Sequence, residues 1–449
     1  MNNKSNLLGH LKNKGILIKK NQTYYIKSNP FPTFKIEQIF LEKRDNCNIL
    51  ILKSDQNSFE YWIEQDLVIP PWQTHWFQLK DASLLKLKGN LLDILLARAV
   101  KKARNLYKLC KALKMSSPTF YIFRKNKVEM ISVKKLRRLL DYLGIPYIKI
   151  NDNIEYTKKG LQISIKNPKF PIDLNSKYGS SLLGALVSDG CIYVDKKARG
   201  VIRTKYSTSE KKSIISFINA INQVYGSVYT QKEYVRNCIT IRIGSSIIGE
   251  TLIKVGMILG HKAKVDGHVP WIIRFGPKNL KRYYLRSVFS DEASIYLGSK
   301  LYDSYIILSR YKHLNKITAE EQKALCKLEE HMSFRKFPTG HINKSITTKK
   351  ALALLRNGKA FVKLMNSAPR LLLEESKLLN NFGIKNRLWS RSLNKTHLGN
   401  YSLCYDLFIN KKDSLIKFYK EIGFSLSVKQ EKLIKLIKPP SNEDGIKTL

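Results

Sequence analysis

Two acidic residues carry the chemistry that this sequence suggests first. Asp189 closes the apolar run Leu182, Leu183, Gly184, Ala185, Leu186 and Val187, and is followed directly by Gly190. Such a run forms a helix with a face of small residues, and the acid falls where the helix must end. A carboxylate at a helix C-terminus opposes the helix dipole and requires a cation nearby. Within Tyr283–Ile295 the same five-residue step runs from Ser287 to Glu292, with the small Ala293 where Gly190 stood. Two such helices packed along their small faces would deliver Asp189 and Glu292 side by side. Adjacent carboxylates repel, and divalent metal ions hold such pairs ionised. The plainer alternative, two ordinary buried helices with ill-placed acids, leaves the repeated step unexplained.

The elements that would position these acids follow a repeated order. After Asp189 the pattern gives strands over Cys191–Val194 and Val201–Ser207 and a helix over Ser209–Gly226. A hairpin from Ser227–Val235 and Cys238–Gly244 follows, then a helix over Ser245–Gly260. After Glu292 the plan restarts with strands at Ala293–Gly298 and Ser304–Ser309. Helical, lysine-rich material at 311–366 interrupts it before a helix at Leu371–Ile384, strands around Leu388–Ser392 and Tyr401–Ile409, and a helix at Lys411–Phe424. The expected fold is α+β and duplicated, with pseudo-twofold halves at 179–278 and 279–437. Their sheets are expected to form a concave surface on which alternate strand residues face a ligand. Thr204, Tyr206, Ser207, Tyr229, Gln231, Arg242, Arg391 and Tyr405 are the candidate lining residues.

The N-terminal third lies outside this repeat. Residues 1–85 read as a small strand-rich module in which Trp62, Trp72 and Trp76 serve packing. Residues 86–150 read as short helices, 151–178 as a connector, with strands around Tyr147–Ile150 and Leu161–Ile165, and 438–449 as a loose tail. Leu106, Leu109 and Leu113, the turn Met115-Ser116-Ser117 and the start Pro118-Thr119 have helix-turn-helix proportions. The stretch resembles the helix-turn-helix of phage-repressor-like domains, which implies Ser117, Thr119 and Tyr121 as major-groove readers. A generic helical bundle is the alternative.

Charge points to the partner. Lys and Arg number 80 against 35 Asp and Glu, a net charge of +45 in 449 residues. The excess runs through the whole chain, so a polyanion, nucleic acid, is the expected ligand. Six scattered cysteines form no CxxC pair, and no apolar run suits a signal peptide or a membrane span. An intracellular, reducing location with nucleic acid is expected. The sequence has no Walker loop, HExxH or dinucleotide fingerprint.

Leu182–Gly190, LLGALVSDG, and Tyr284–Ser294, YLRSVFSDEAS, resemble the two motifs of single-chain LAGLIDADG homing endonucleases. The lead-in VPWIIRFGPKNLKRYYLRSVF and the ending FYKEIGFSLSVKQEKL are also similar to such proteins, and the resemblance covers roughly 175–437. It implies Asp189 and Glu292 as metal-binding acids, with two or three Mg²⁺ ions bound with DNA. It also implies nearby basic side chains, for which Arg242 and Lys411 are the candidates. Ser287 and Ala293 stand where the motif carries glycine, and the insertion at 311–366 exceeds the minimal plan. The implied function is a monomeric, site-specific endonuclease making double-strand breaks at a long, imperfectly palindromic DNA target, in intron homing. The alternatives are a non-cleaving DNA-binding transcriptional regulator of the same architecture and an RNA-splicing maturase that binds intron RNA.

Overall fold

The computed structural model describes residues 8–9, 11–13, 17–20, 23–26, 34–45, 47–54, 57–64, 67–116, 130–160, 162–198, 200–235, 237–260, 262, 267–298, 304–314, 317–336, 342–355, 362, 366 and 368–437. Ser117, Thr119 and Tyr121, and with them the expected reading helix, lie outside the described residues. The chain is mixed α+β with several antiparallel sheets. It divides into two compact units: Met1–Leu183 with Ile192–Met257 and Pro270–Leu280, and Gly184–Cys191 with Ile258–Val269 and Lys281–Leu449. Among the described residues no helix is long and apolar enough to cross a membrane.

In the first unit, Gln38–Arg44, Cys47–Ser54, Asn57–Glu64 and Leu67–Ile69 form an antiparallel meander. These strands are rich in Ile, Leu, Phe, Tyr and Trp, residues that fit a pleated, half-buried surface. Trp62, Trp72 and Trp76 are buried, as packing residues should be. Trp76 packs edge-on against Phe77 and donates its indole N–H to the Tyr147 carbonyl oxygen at 3.0 Å. Helices Leu91–Ala103, Leu106–Leu113 and Val133–Leu143 bury an apolar stripe each. From the last, the buried Arg137 reaches Asp45 and Asp81, both at 2.6 Å, and the Phe77 carbonyl oxygen at 2.8 Å.

The segment expected to be a connector is part of a sheet. Ile154–Lys159 pairs with Ser83–Leu87, while Ile165–Lys166 pairs with Ser227–Val228. A five-stranded sheet therefore joins the N-terminal chain to the first repeat, and 178 is not a structural boundary. The strand expected near 161–165 falls at Ile165–Lys166, whereas Tyr147–Ile150, also expected as a strand, lies in the 3₁₀ helix Tyr147–Asn153.

The first repeat contains the helix Lys177–Val187, strands Gly190–Asp195 and Val201–Thr208, the helix Lys211–Tyr225, strands Gln231–Val235 and Cys238–Ile243, and the helix Ser246–Lys254. Its strands lie in the order first, second, fourth, third. The second repeat, almost all in the other unit, runs through the helix Lys278–Glu292, strands Ser294–Tyr296 and Tyr305–His313, the helix Arg370–Asn380, strands Arg387–Lys395 and Tyr401–Ile409, and the helix Lys412–Glu421. These four strands have the same order. The insertion is not purely helical, as the sequence suggested. Besides helices Ala319–Glu329 and Thr348–Leu354 it supplies strands Ser333–Lys336 and Ile342–Thr347, which extend the second sheet beyond Arg387–Lys395. Its polar strands SFRK and INKSIT carry too few apolar residues to announce themselves.

Candidate functional site

The helix Lys177–Val187 ends in a turn at Ser188 and Asp189. The Ser188 N–H and Oγ–H both donate to the Gly184 carbonyl oxygen, each at 2.9 Å, which tightens the last turn. The remaining terminal carbonyls are taken by a lysine. Lys262 Nζ donates to the carbonyl oxygens of Val187 and Ser188, both at 2.5 Å, and of Leu186 at 3.3 Å. This is the cation that an acid at a helix C-terminus requires.

The second acidic helix ends in the same way. Lys429 Nζ donates to the Ser290 carbonyl oxygen at 2.6 Å and that of Asp291 at 3.4 Å. Arg282 Nε donates to the Glu421 carbonyl oxygen at 2.7 Å and Arg286 Nε to that of Ile422 at 2.6 Å. The helix is thus tied along its length to residues 421–429. The two lysines share a sequence signal: Lys262 lies six residues after Gly256, in VGMILGHK, and Lys429 six after Gly423, in IGFSLSVK. Both glycines have positive φ, 99° and 62°, a conformation that glycine adopts without strain.

At Gly184 the two acidic helices approach closely. A Cβ placed there would lie 2.7 Å from both the Ser287 Cβ and the Tyr284 carbonyl oxygen. Asp189 and Glu292 line one cavity of about 590 Å³, together with Lys262, Asp291, Arg310 and Lys312. Asp189 is exposed at the cavity, yet the protein mass around it reduces its solvation. That desolvation raises its pKa, with Lys262, Arg310 and Lys429 pulling the other way. Among the described residues its carboxylate accepts no hydrogen bond, so its oxygens remain open to a ligand.

Glu292 is held differently. Arg310, on the strand Tyr305–His313, forms an ion pair with it and also grips the buried Glu375 through Nη2–Oε1 at 2.7 Å and Nε–Oε2 at 3.1 Å. Burial works against the Arg310 charge, but the attraction and hydrogen bonds of Glu375 prevail and raise its pKa. Lys262 has its pKa lowered to about 8 by burial and then by the repulsion of Arg310, with Asp189 opposing. The acids therefore share a neighbourhood with three cations, Lys262, Arg310 and Lys429.

The other candidates sit elsewhere. Arg242 pairs with Glu233 at 2.9 Å, while Lys411 is exposed at the start of the helix Lys412–Glu421; neither lines the cavity. Tyr229 and Gln231 are exposed, and the Ser207 and Thr240 hydroxyls meet at 2.9 Å. Arg391, at a bulge, reaches Asp406 at 3.5 Å. Thr204, Tyr206 and Tyr405 are corrected: all three are buried. On Val201–Thr208 the even positions face the core, where Tyr206 stacks on Phe217 at 4.6 Å, leaving Arg203, Lys205 and Ser207 on the outer face. Tyr405 lies in a strand covered on both sides. Lys262, Lys429, Arg310 and Glu375 were missed in the sequence; only the glycine-to-lysine step could have disclosed the first two.

Among the described residues no group of three or more His, Cys, Asp or Glu could hold a metal ion by itself. Two carboxylates suit Mg²⁺, which keeps several waters and takes the rest of its shell from substrate phosphates.

No protein-family model matches this sequence. No curated protein matches it. Among solved structures, the chain is similar to the homing endonuclease I-DmoI in complex with DNA and Ca, with 15% identity and a TM-score of 0.30 over 56% of this chain and 91% of that one. It is similar to mesophilic variants of I-DmoI at 12% identity and a TM-score of 0.29, over 56% and 97% of the two chains. It is also similar to full-length DUF199/WhiA from Thermatoga maritima at 13% identity and a TM-score of 0.27, over 60% and 64%.

Proposed function

We propose that this chain is a divalent-metal-dependent endonuclease that cuts both strands of a long, imperfectly palindromic DNA site, in intron homing, with Asp189 and Glu292 as its metal-binding acids. The observation that carries the reading is the shared cavity of the two acids, each at the end of a helix whose last carbonyls are held by a lysine. Mg²⁺, bound with DNA as two or three ions, would polarise phosphoryl oxygens and activate water for in-line attack. Asp189 and Glu292 would supply the protein's oxygen ligands. Lys262 and Lys429 fix the helix ends, so that neither carboxylate drifts, and their charge attracts the scissile phosphates. Arg242 and Lys411 are proposed as phosphate contacts, and Ser207, Tyr229, Gln231 and Arg391 as DNA contacts.

One observation favours the non-cleaving regulator as a second reading. Glu292 already has a cation partner in Arg310, so its ionisation does not depend on a metal. Incubation of the purified protein with a library of long duplexes and Mg²⁺ separates the readings. Site-specific double-strand products support the endonuclease. Specific duplex binding that is indifferent to chelator and yields no product supports the regulator, while preference for an intron-containing transcript over duplex supports the maturase.

A further inference from the structure

Away from the acids, the five-stranded sheet of the first unit carries an arrangement that the proposed cutting chemistry does not use. One face is core: Leu85, Leu87, Ile131, Ile154 and Ile165 are buried. On the other face Lys86, Tyr156 and Lys166 fall in one cross-strand row, since Tyr156 is registered opposite both lysines. The Lys86 Nζ lies 5.4 Å and the Lys166 Nζ 6.0 Å from the centre of the Tyr156 ring. Lys158, two residues along the same strand, shares the face. Lys86, Tyr156 and Lys158 line a cavity of about 240 Å³ with Ser164 and Met130. The Glu155 Oε2 is a loose 3.6 Å from the Lys86 Nζ. Among the described residues Lys158 makes no ion pair.

Three ammonium groups around one tyrosine and one serine hydroxyl make a site for an anion with several acceptor oxygens. Lysine over a half-buried ring is a weak interaction, so the Lys166 ammonium can turn to a phosphate at little cost. The cavity holds more than an inorganic anion needs, and lysines spread along a strand row suit successive phosphates of a backbone better than one compact ligand.

We infer that the Lys86–Tyr156–Lys166 row with Lys158 is a phosphodiester-binding site that grips duplex DNA independently of Asp189 and Glu292. The choice of DNA over other polyanions rests on the endonuclease reading; the site itself does not.

The test is the salt dependence of binding to a random duplex of about forty base pairs, followed by anisotropy without Mg²⁺, with the full chain. Each phosphate contact contributes about 0.9 to the slope of log K against log salt, so Lys86→Gln/Lys158→Gln/Lys166→Gln is expected to lower that slope by about 2 to 3. The corresponding triple arginine variant is expected to keep it. Lys158→Glu alone, a single change at a half-exposed position, is expected to weaken binding about tenfold or more at low salt. An unchanged slope in a triple variant that melts like wild type overturns the site. A slope change seen with RNA duplex and not with DNA overturns the choice of DNA. Because Mg²⁺ is absent, a protein that binds through this row yet never cuts would sink the endonuclease reading and leave the site standing.

Discussion

Gly184 meets Ser287 where the two acidic helices pack together, and an added Cβ there would stand 2.7 Å from the serine Cβ. The Tyr284 carbonyl oxygen is equally near, so the space is closed by backbone as well as side chain. Gly184→Ala is therefore expected to destabilise the protein by about 1–3 kcal/mol, the usual cost of overpacking. Adding Ser287→Gly should recover only part of that loss, because the backbone oxygen remains. Urea denaturation of the single and double variants checks this.

The Arg310–Glu375 pair is buried and hydrogen-bonded. Glu375→Gln leaves the buried Arg310 with Glu292 as a carboxylate partner, so it is expected to cost about 1–3 kcal/mol, the worth of the lost charge-assisted hydrogen bonds. Arg310→Met strands both Glu375 and Glu292 and should cost more, about 3–5 kcal/mol. Thermal or denaturant unfolding measures the difference.

Lys262 and Lys429 each serve one acidic helix. If each supports one half of a two-strand cut, Lys262→Met and Lys429→Met should slow cleavage of different strands, by about 10- to 100-fold, the worth of a lost charge-assisted hydrogen bond. Nicked duplex should accumulate, with opposite strands intact in the two variants, as gels of end-labelled substrate would show. The arginine replacements should restore part of the rate.

Lys254 offers a pH signature away from the acids. Its ammonium donates to the Gln73 carbonyl oxygen at 3.2 Å, and burial lowers its pKa to about 8, with Glu60 opposing. A lysine whose folded pKa lies below its unfolded value is penalised while charged. The penalty is complete below pH 8 and is relieved as pH rises from about 8 towards the ordinary lysine value of about 10.5. Wild-type stability is expected to gain about 1–3 kcal/mol over that window relative to Lys254→Met, after allowance for partial solvation. Chemical denaturation of both proteins at pH 7.5 and 10 tests the sign.

Much of the repeated plan was legible because its signals are local. The run of apolar residues ending at Asp189, the strands Val201–Thr208 and Tyr401–Ile409 and the helix Lys211–Tyr225 announce themselves by period and turn residues. The surroundings of the acids were not legible, for their partners lie far away in sequence: Arg310 and Glu375 are 65 residues apart, and Lys262 is 74 residues from the Ser188 carbonyl that it holds. Strand faces failed for a different reason. Thr204 and Tyr206 are polar enough to suggest an outer face, but packing against Phe217 turned the even positions inward. Tertiary packing, not side-chain polarity, chose the face.

The central claim is that Asp189 and Glu292 are the oxygen ligands for strand cutting. Its most direct test is Mg²⁺-dependent cleavage of the selected duplex by wild type, Asp189→Asn and Glu292→Gln, with duplex binding measured alongside. The expected result is double-strand cleavage by wild type and its loss in both variants, while each still binds duplex within a few-fold of wild type. Wild-type rates of double-strand cleavage in either variant would contradict the assignment.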